Sequence, residues 1–229
     1  MVNKKISNKW NFWIDRGGTF TDIVAIDPKG VFHKKKILSH NPSFYKDSII
    51  EGIRRFLDIK KEKEIDSNLI NEIRIGTTIA TNSLLTLTGD KTCLLITKGF
   101  KDSIQIGDQS RPNIFARKII SSKKLYNDVY EIKERISSKG KVLLKLDNNH
   151  ARLIMQKAIK KGYKSIAIVL MHSWKYPRHE KILKRIATKI GFTNVYISYD
   201  TAPLIGLNSR GDTTIVNAYL TPKLNRYTS

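Results

Sequence analysis

The sequence predicts an α/β fold, on three observations. Continuous apolar runs at Cys93 to Ile96 and Ser165 to Met171 suit strands buried on both faces. Segments with helical spacing alternate with strand-like runs through the rest of the chain. The first forty residues read as three strands joined by turns, so an antiparallel meander precedes the alternating helices and strands.

Taken in order, Trp10 to Ile14 is an apolar run that leads into Asp15-Arg16-Gly17-Gly18-Thr19-Phe20-Thr21-Asp22, and Ile23 to Ile26 leads out. Two such runs about a Gly-Gly turn predict a β-hairpin, with the glycines supplying positive φ at no steric cost. A plain hairpin needs neither the two hydroxyls nor the two carboxylates around this turn. Backbone N–H groups at paired glycines, with Thr19 and Thr21 beside them, form a nest for phosphate oxygens. Asp15 could hold Mg²⁺ against those oxygens, since that ion prefers carboxylate, water and phosphate ligands. The plain alternative is a tight turn whose Thr and Asp side chains serve local backbone groups.

Asp27-Pro28-Lys29-Gly30 signals a turn, and Val31 to Leu38 a third strand, placed near an edge by its lysines. From Asp47 onward, Ile49, Ile53, Phe56 and Leu57 form the stripe of an amphipathic helix. The short strand Ile73 to Ile75 runs into Gly76-Thr77-Thr78-Ile79-Ala80-Thr81-Asn82-Ser83. Strand, then Gly and hydroxyls, then a helix-compatible segment is the layout of an anion site, or of an ordinary Thr cap. Further strands are expected at Val129 to Ile132, Val142 to Leu146 and Val195 to Ser198. Helices are expected over 148–161, with Asp147 or Asn148 as cap and Gly162 as stop, and from Tyr176-Pro177 to Gly191. His172 ends the strand that begins at Ser165, a position that more often holds a structural histidine than a catalytic one.

The 229 residues suffice for a core that buries roughly 70–75% of the unfolded surface. One cysteine, Cys93, excludes an intramolecular disulfide framework, suits a reducing compartment and sits in an apolar run as a structural thiol. No apolar stretch reaches membrane-spanning length, and the basic first ten residues precede no signal-type h-region, so a cytoplasmic protein is expected. The formal charge of +22 raises nucleic acid as a partner. Its lysines are scattered rather than gathered on one tail or face, which favours compositional bias. No His/Cys metal cluster, P-loop or G-x-G-x-x-G occurs in the sequence.

The hairpin motif D-R-G-G-T-F-T-D-I resembles the N-terminal motif of the hydantoinase A/5-oxoprolinase family, and its arginine leans towards the oxoprolinase branch. G-T-T-I-A-T-N-S-L-L from Gly76 resembles that family's second hallmark. The run Arg111-Pro112-Asn113-Ile114-Phe115 resembles its R-P-x-I-F segment, although Ala116-Arg117 follow where oxoprolinases usually carry an acidic residue. Ser209 to Pro222 resembles the family again, with Asn217 where an aspartate is common, so Asn217 receives no catalytic role.

The resemblance implies a ribonuclease-H-like lobe of the actin, sugar kinase and Hsp70 type. It implies that ATP phosphorylates the oxygen of a cyclic amide, 5-oxoproline or a hydantoin-like ring, which water then opens. Under it, Asp15 is the catalytic organiser of Mg²⁺ and phosphate. Gly17, Gly18, Thr19 and Thr21 form the cradle with Asp22 as support. Gly76, Thr77 and Thr78 face the nucleotide, and Asn82 and Arg111 the substrate. Residues 1–9 are then a basic tail, 10–222 the family's N-terminal domain and 223–229 the end of an N-terminal portion. Family members are several times longer, so activity is expected only with a second lobe, carried by a further part of the chain or by a partner subunit. A basic nucleic-acid module reusing the lobe and a lobe without activity are the alternatives.

Overall fold

The structure is a computed structural model that describes residues 8–61, 63–108, 115 and 123–228. The chain forms two compact units, residues 1–85 and 86–229.

In the first unit, strands β1 (Trp10–Arg16), β2 (Phe20–Ile26) and β3 (Phe32–Leu38) make the expected meander. Helix α1 (Ser48–Leu57) follows, then a short 3₁₀ turn, β4 (Ile70–Thr77) and α2 (Ile79–Leu85). The sheet order is β3-β2-β1-β4, with β4 parallel to β1, so the turn after β1 lies beside the end of β4. Alternation along β1 and β2 sends Phe12, Ile14, Ile23 and Ala25 to one face, where they pack with Ile37 and Ile53 of α1. Gly52 lets α1 approach closely, since a Cβ there would overlap the Ile23 side chain. Asp47 caps α1 through its carboxylate, which accepts from the Ile49 and Ile50 amides at 2.8 and 2.9 Å. The lysine-rich β3 is an edge strand, as its composition indicates.

The second unit begins with β5 (Thr92–Thr97), α3 (Ser103–Ile106), β6 (Asp128–Ile132), β7 (Arg135–Ile136) and β8 (Val142–Leu144). It continues with α4 (Asn148–Lys160), β9 (Ser165–Val169), α5 (Arg178–Ile190), β10 (Asn194–Ile197), α6 (Ser198–Thr201) and α7 (Leu207–Thr228). Its main sheet is all parallel, in the order β10-β9-β5-β6. Cys93 and Leu95 of β5 face α4 and α5, while Leu94 and Ile96 face α3 and α7. Coverage on both sides explains the unbroken apolar runs. Gly162 and Gly191 stop α4 and α5 in the left-handed conformation, with φ of 85° and 113°.

The sequence pattern did not announce the 22-residue helix α7. Gly211 sits within it because a side chain there would strike Ile104, and Arg210 is fully buried. The Arg210 guanidinium donates to the Leu170 and Leu204 carbonyls, each at 2.7 Å, and to the Ser198 hydroxyl at 2.8 Å. Ser198 in turn donates to buried Glu180 at 2.6 Å. Among the described residues, no helix is long and apolar enough to cross a membrane.

Candidate functional site

The site lies in the first unit, where the hairpin turn and the end of β4 meet. Asp15 pairs across the sheet with Asp22 on one side and with Gly76 on the other. All three are exposed. Asp22 forms an ion pair with Lys36 at 3.1 Å, whereas Asp15 has no salt bridge among the described residues. Two carboxylates placed directly opposite repel each other, and Lys36 offsets only one of them. Gly76 keeps the flank of Asp15 open, since a Cβ at that position would lie 3.9 Å from Asp15 Oδ1.

The turn differs in one respect from expectation. Neither Gly17 nor Gly18 occupies the left-handed region, so positive φ is not what requires them. Space favours Gly17 instead: a Cβ there would lie a tight 3.1 Å from the Phe20 carbonyl, which accepts the Gly17 N–H at 3.0 Å. A Cβ on Gly18 would lie 3.6 Å from Asn82 Nδ2, so Asn82 of α2 stands beside the turn. The backbone N–H groups of Gly18 and Thr19 have no hydrogen-bond partner among the described residues, and both residues are exposed. These donors, the Thr19 hydroxyl and the Asp15 carboxylate are the chemistry that a phosphate–cation pair would meet.

Other expected residues have their side chains engaged. The Thr21 hydroxyl is fully buried, 3.0 Å from Ser39 Oγ and 2.9 Å from Ser48 Oγ. It therefore lies beneath the turn rather than on its solvent side. The Thr77 hydroxyl donates to the Arg16 carbonyl at 3.1 Å and accepts from the Ile79 amide at 3.2 Å. That is the capping role of a threonine before a helix, and α2, of seven residues, is too short for an anion site of its own. Thr78 is exposed, and Asn82 Nδ2 lies 3.5 Å from its hydroxyl. Arg111 lies outside the described residues. No group of three or more His, Cys, Asp or Glu side chains capable of holding a metal occurs among those that are described.

Pattern did not single out the groups that brace the turn. Ser39 donates its N–H to the Thr19 carbonyl at 2.8 Å and its hydroxyl to the Gly17 carbonyl at 2.7 Å. Arg16 pairs with Asp47 at 2.9 Å, tying the end of β1 to the cap of α1. The only sequence cue was the short polar stretch from Ser39 to Asp47, which reads as loop.

Residues 11–191 match the family described as the hydantoinase/oxoprolinase N-terminal region. The chain is 38% identical to 5-oxoprolinase 1 of Arabidopsis thaliana over 98% of its length, and 38% identical to the 5-oxoprolinase of Dictyostelium discoideum over 99%. It spans about a fifth of the length of each of these curated relatives. An ATP-dependent caprolactamase from Pseudomonas jessenii superposes with a TM-score of 0.75 at 27% identity, covering 95% of this chain and 32% of that one. A nucleotide-free acetone carboxylase superposes with a TM-score of 0.74 at 21% identity, covering 96% of this chain and 34% of that one, and so shares the fold. The α/β, actin-type architecture expected from the hairpin motif is the one found.

Proposed function

This chain belongs to the hydantoinase/oxoprolinase family, and from that premise we propose that it carries the phosphate-binding hairpin of an ATP-dependent cyclic-amide hydrolase of the 5-oxoprolinase type. The reaction is 5-oxo-L-proline, ATP and water to L-glutamate, ADP and phosphate. One observation carries the proposal: the Gly18 and Thr19 N–H groups, without a partner among the described residues, sit on the same hairpin as a carboxylate with no salt bridge among those residues. Bound ATP with Mg²⁺ would supply the phosphoryl group that turns an unreactive amide into one with a good leaving group.

The residues present fit that ligand. Asp15 would hold the cation, and the Gly18 and Thr19 amides with the Thr19 hydroxyl would orient phosphate oxygens. Gly17 lets the chain turn tightly, and Gly76 leaves Asp15 uncovered. Thr78 and Asn82 offer a hydroxyl and an amide beside the turn. Thr21, Thr77 and Asp22 act as supports, because their polar groups are already partnered. Two kinds of name among the relatives support this reading, 5-oxoprolinase and ATP-dependent caprolactamase. Since the chain spans about a fifth of its oxoprolinase relatives, the activity belongs to a larger assembly, with the second lobe on the same or a partner chain.

The test is 5-oxoproline-dependent ATP hydrolysis by the whole protein that contains this chain. Asp15→Ala is expected to lower turnover by about 10²–10³-fold, the scale for losing one group that stabilises developing charge. Undiminished turnover in that variant removes the hairpin as the phosphate site.

A further inference from the structure

We propose that Ser39 is the positioning residue of the phosphate turn, the last link in a directed chain of buried hydroxyls that begins at the first residue of α1. The inference rests on the proposed function and concerns the same site. Ser39 holds the turn at two points: its hydroxyl donates to the Gly17 carbonyl at 2.7 Å and its N–H to the Thr19 carbonyl at 2.8 Å. A trans peptide is planar, with C=O and N–H pointing opposite ways. Drawing the Gly17 carbonyl towards Ser39 therefore turns the Gly18 N–H outward, away from Ser39. That N–H is one of the two donors assigned to phosphate.

Proton count gives the hydroxyl chain its direction. Each hydroxyl has one proton to donate. Ser39 gives its proton to Gly17, so the 3.0 Å contact with Thr21 is a bond that Ser39 accepts. Thr21 has then used its proton, so the 2.9 Å contact with Ser48 is donated by Ser48. The order is Ser48 to Thr21 to Ser39 to the Gly17 carbonyl. Thr21 and Ser48 are fully buried and Ser39 is 7% exposed, so water competes little for these bonds. The burial of Thr21 is thereby accounted for: it acts on the turn through Ser39 and does not touch the ligand. The Arg16–Asp47 pair ties the end of β1 to the cap of the same helix, α1.

Ser39→Ala removes the hydroxyl and leaves the backbone bond to Thr19. In amide relaxation measurements on the 229-residue chain without ligand, the Gly18 order parameter is expected to fall from the rigid range, about 0.85, towards about 0.6. Values in the strands around it should stay unchanged. In the whole protein, KM for MgATP is expected to rise about fivefold, the worth of one hydrogen bond. KM for 5-oxoproline should hold, and Ser39→Thr should recover both properties. An unchanged Gly18 order parameter overturns the proposal. So does loosening spread evenly over the whole unit, which marks a merely structural serine. If the wild-type protein uses no ATP while Gly18 still loosens in Ser39→Ala, the proposed function falls and the control of the turn by Ser39 stands.

Discussion

Asp15 and Arg210 show two opposite ways of placing a charge. Asp15 is exposed and without a salt bridge among the described residues, as the role proposed for it requires. Arg210 is fully buried, its guanidinium donating to acceptors on four different residues. Burial pulls its pKa below the ordinary guanidinium value, against the opposing influence of Glu180. Arg210→Met should cost about 3–5 kcal/mol, because Glu180 loses a nearby cation and three carbonyls lose a donor. Denaturant titration measures this, and a loss below about 1 kcal/mol would contradict the role given to the network. Cys93 is a third kind of residue. Burial pushes its thiol up to about 12, in keeping with a packing role rather than a nucleophilic one.

The elements that sequence pattern identified are those with a single clear face or complete burial. Helix α1 has its stripe of Ile49, Ile53, Phe56 and Leu57, and β5 and β9 are buried throughout with apolar centres. Helix α7 has no such stripe. Arg210, Thr214, Ile215, Ala218, Tyr219 and Leu220 are all buried, so polar and apolar residues share its inner surface. A pattern that counts only apolar residues misses such a helix. Between elements, Lys161 just after α4 bonds Asp128 at the start of β6 at 2.8 Å. This bond, more than any other influence, lowers the Asp128 pKa. A carboxylate with a lowered folded-state pKa adds stability above its unfolded pKa and loses it as pH falls through the folded value. Asp128→Asn should therefore lower Tm at neutral pH. The two Tm-against-pH curves should converge once the pH drops below the lowered carboxylate value, and a gap that persists there would mean the pair acts by packing.

Over the whole molecule, each unit has its own core, one built on α1 and the meander and the other on the two faces of the parallel sheet. The charge of +22 belongs to the same scale. Three lysines are paired with carboxylates: Lys36 with Asp22, Lys161 with Asp128 and Lys184 with Asp200. Binding to a short DNA duplex should accordingly be no tighter than that of an unrelated protein of similar charge, with the steep salt dependence of counterion release. Affinity that exceeds such a control, measured by fluorescence anisotropy at matched salt, would favour the nucleic-acid alternative.

The fold class, the meander, the hairpin and its candidate residues follow from the sequence alone, because glycine pairs, caps and apolar periodicity act over a few neighbours. The hydroxyl chain beneath the turn and the bond from the Thr77 hydroxyl to the Arg16 carbonyl were decided by tertiary structure. Each joins residues from different elements, Thr21 with Ser39 and Ser48 or Thr77 with Arg16, that only sheet pairing brings within hydrogen-bond reach.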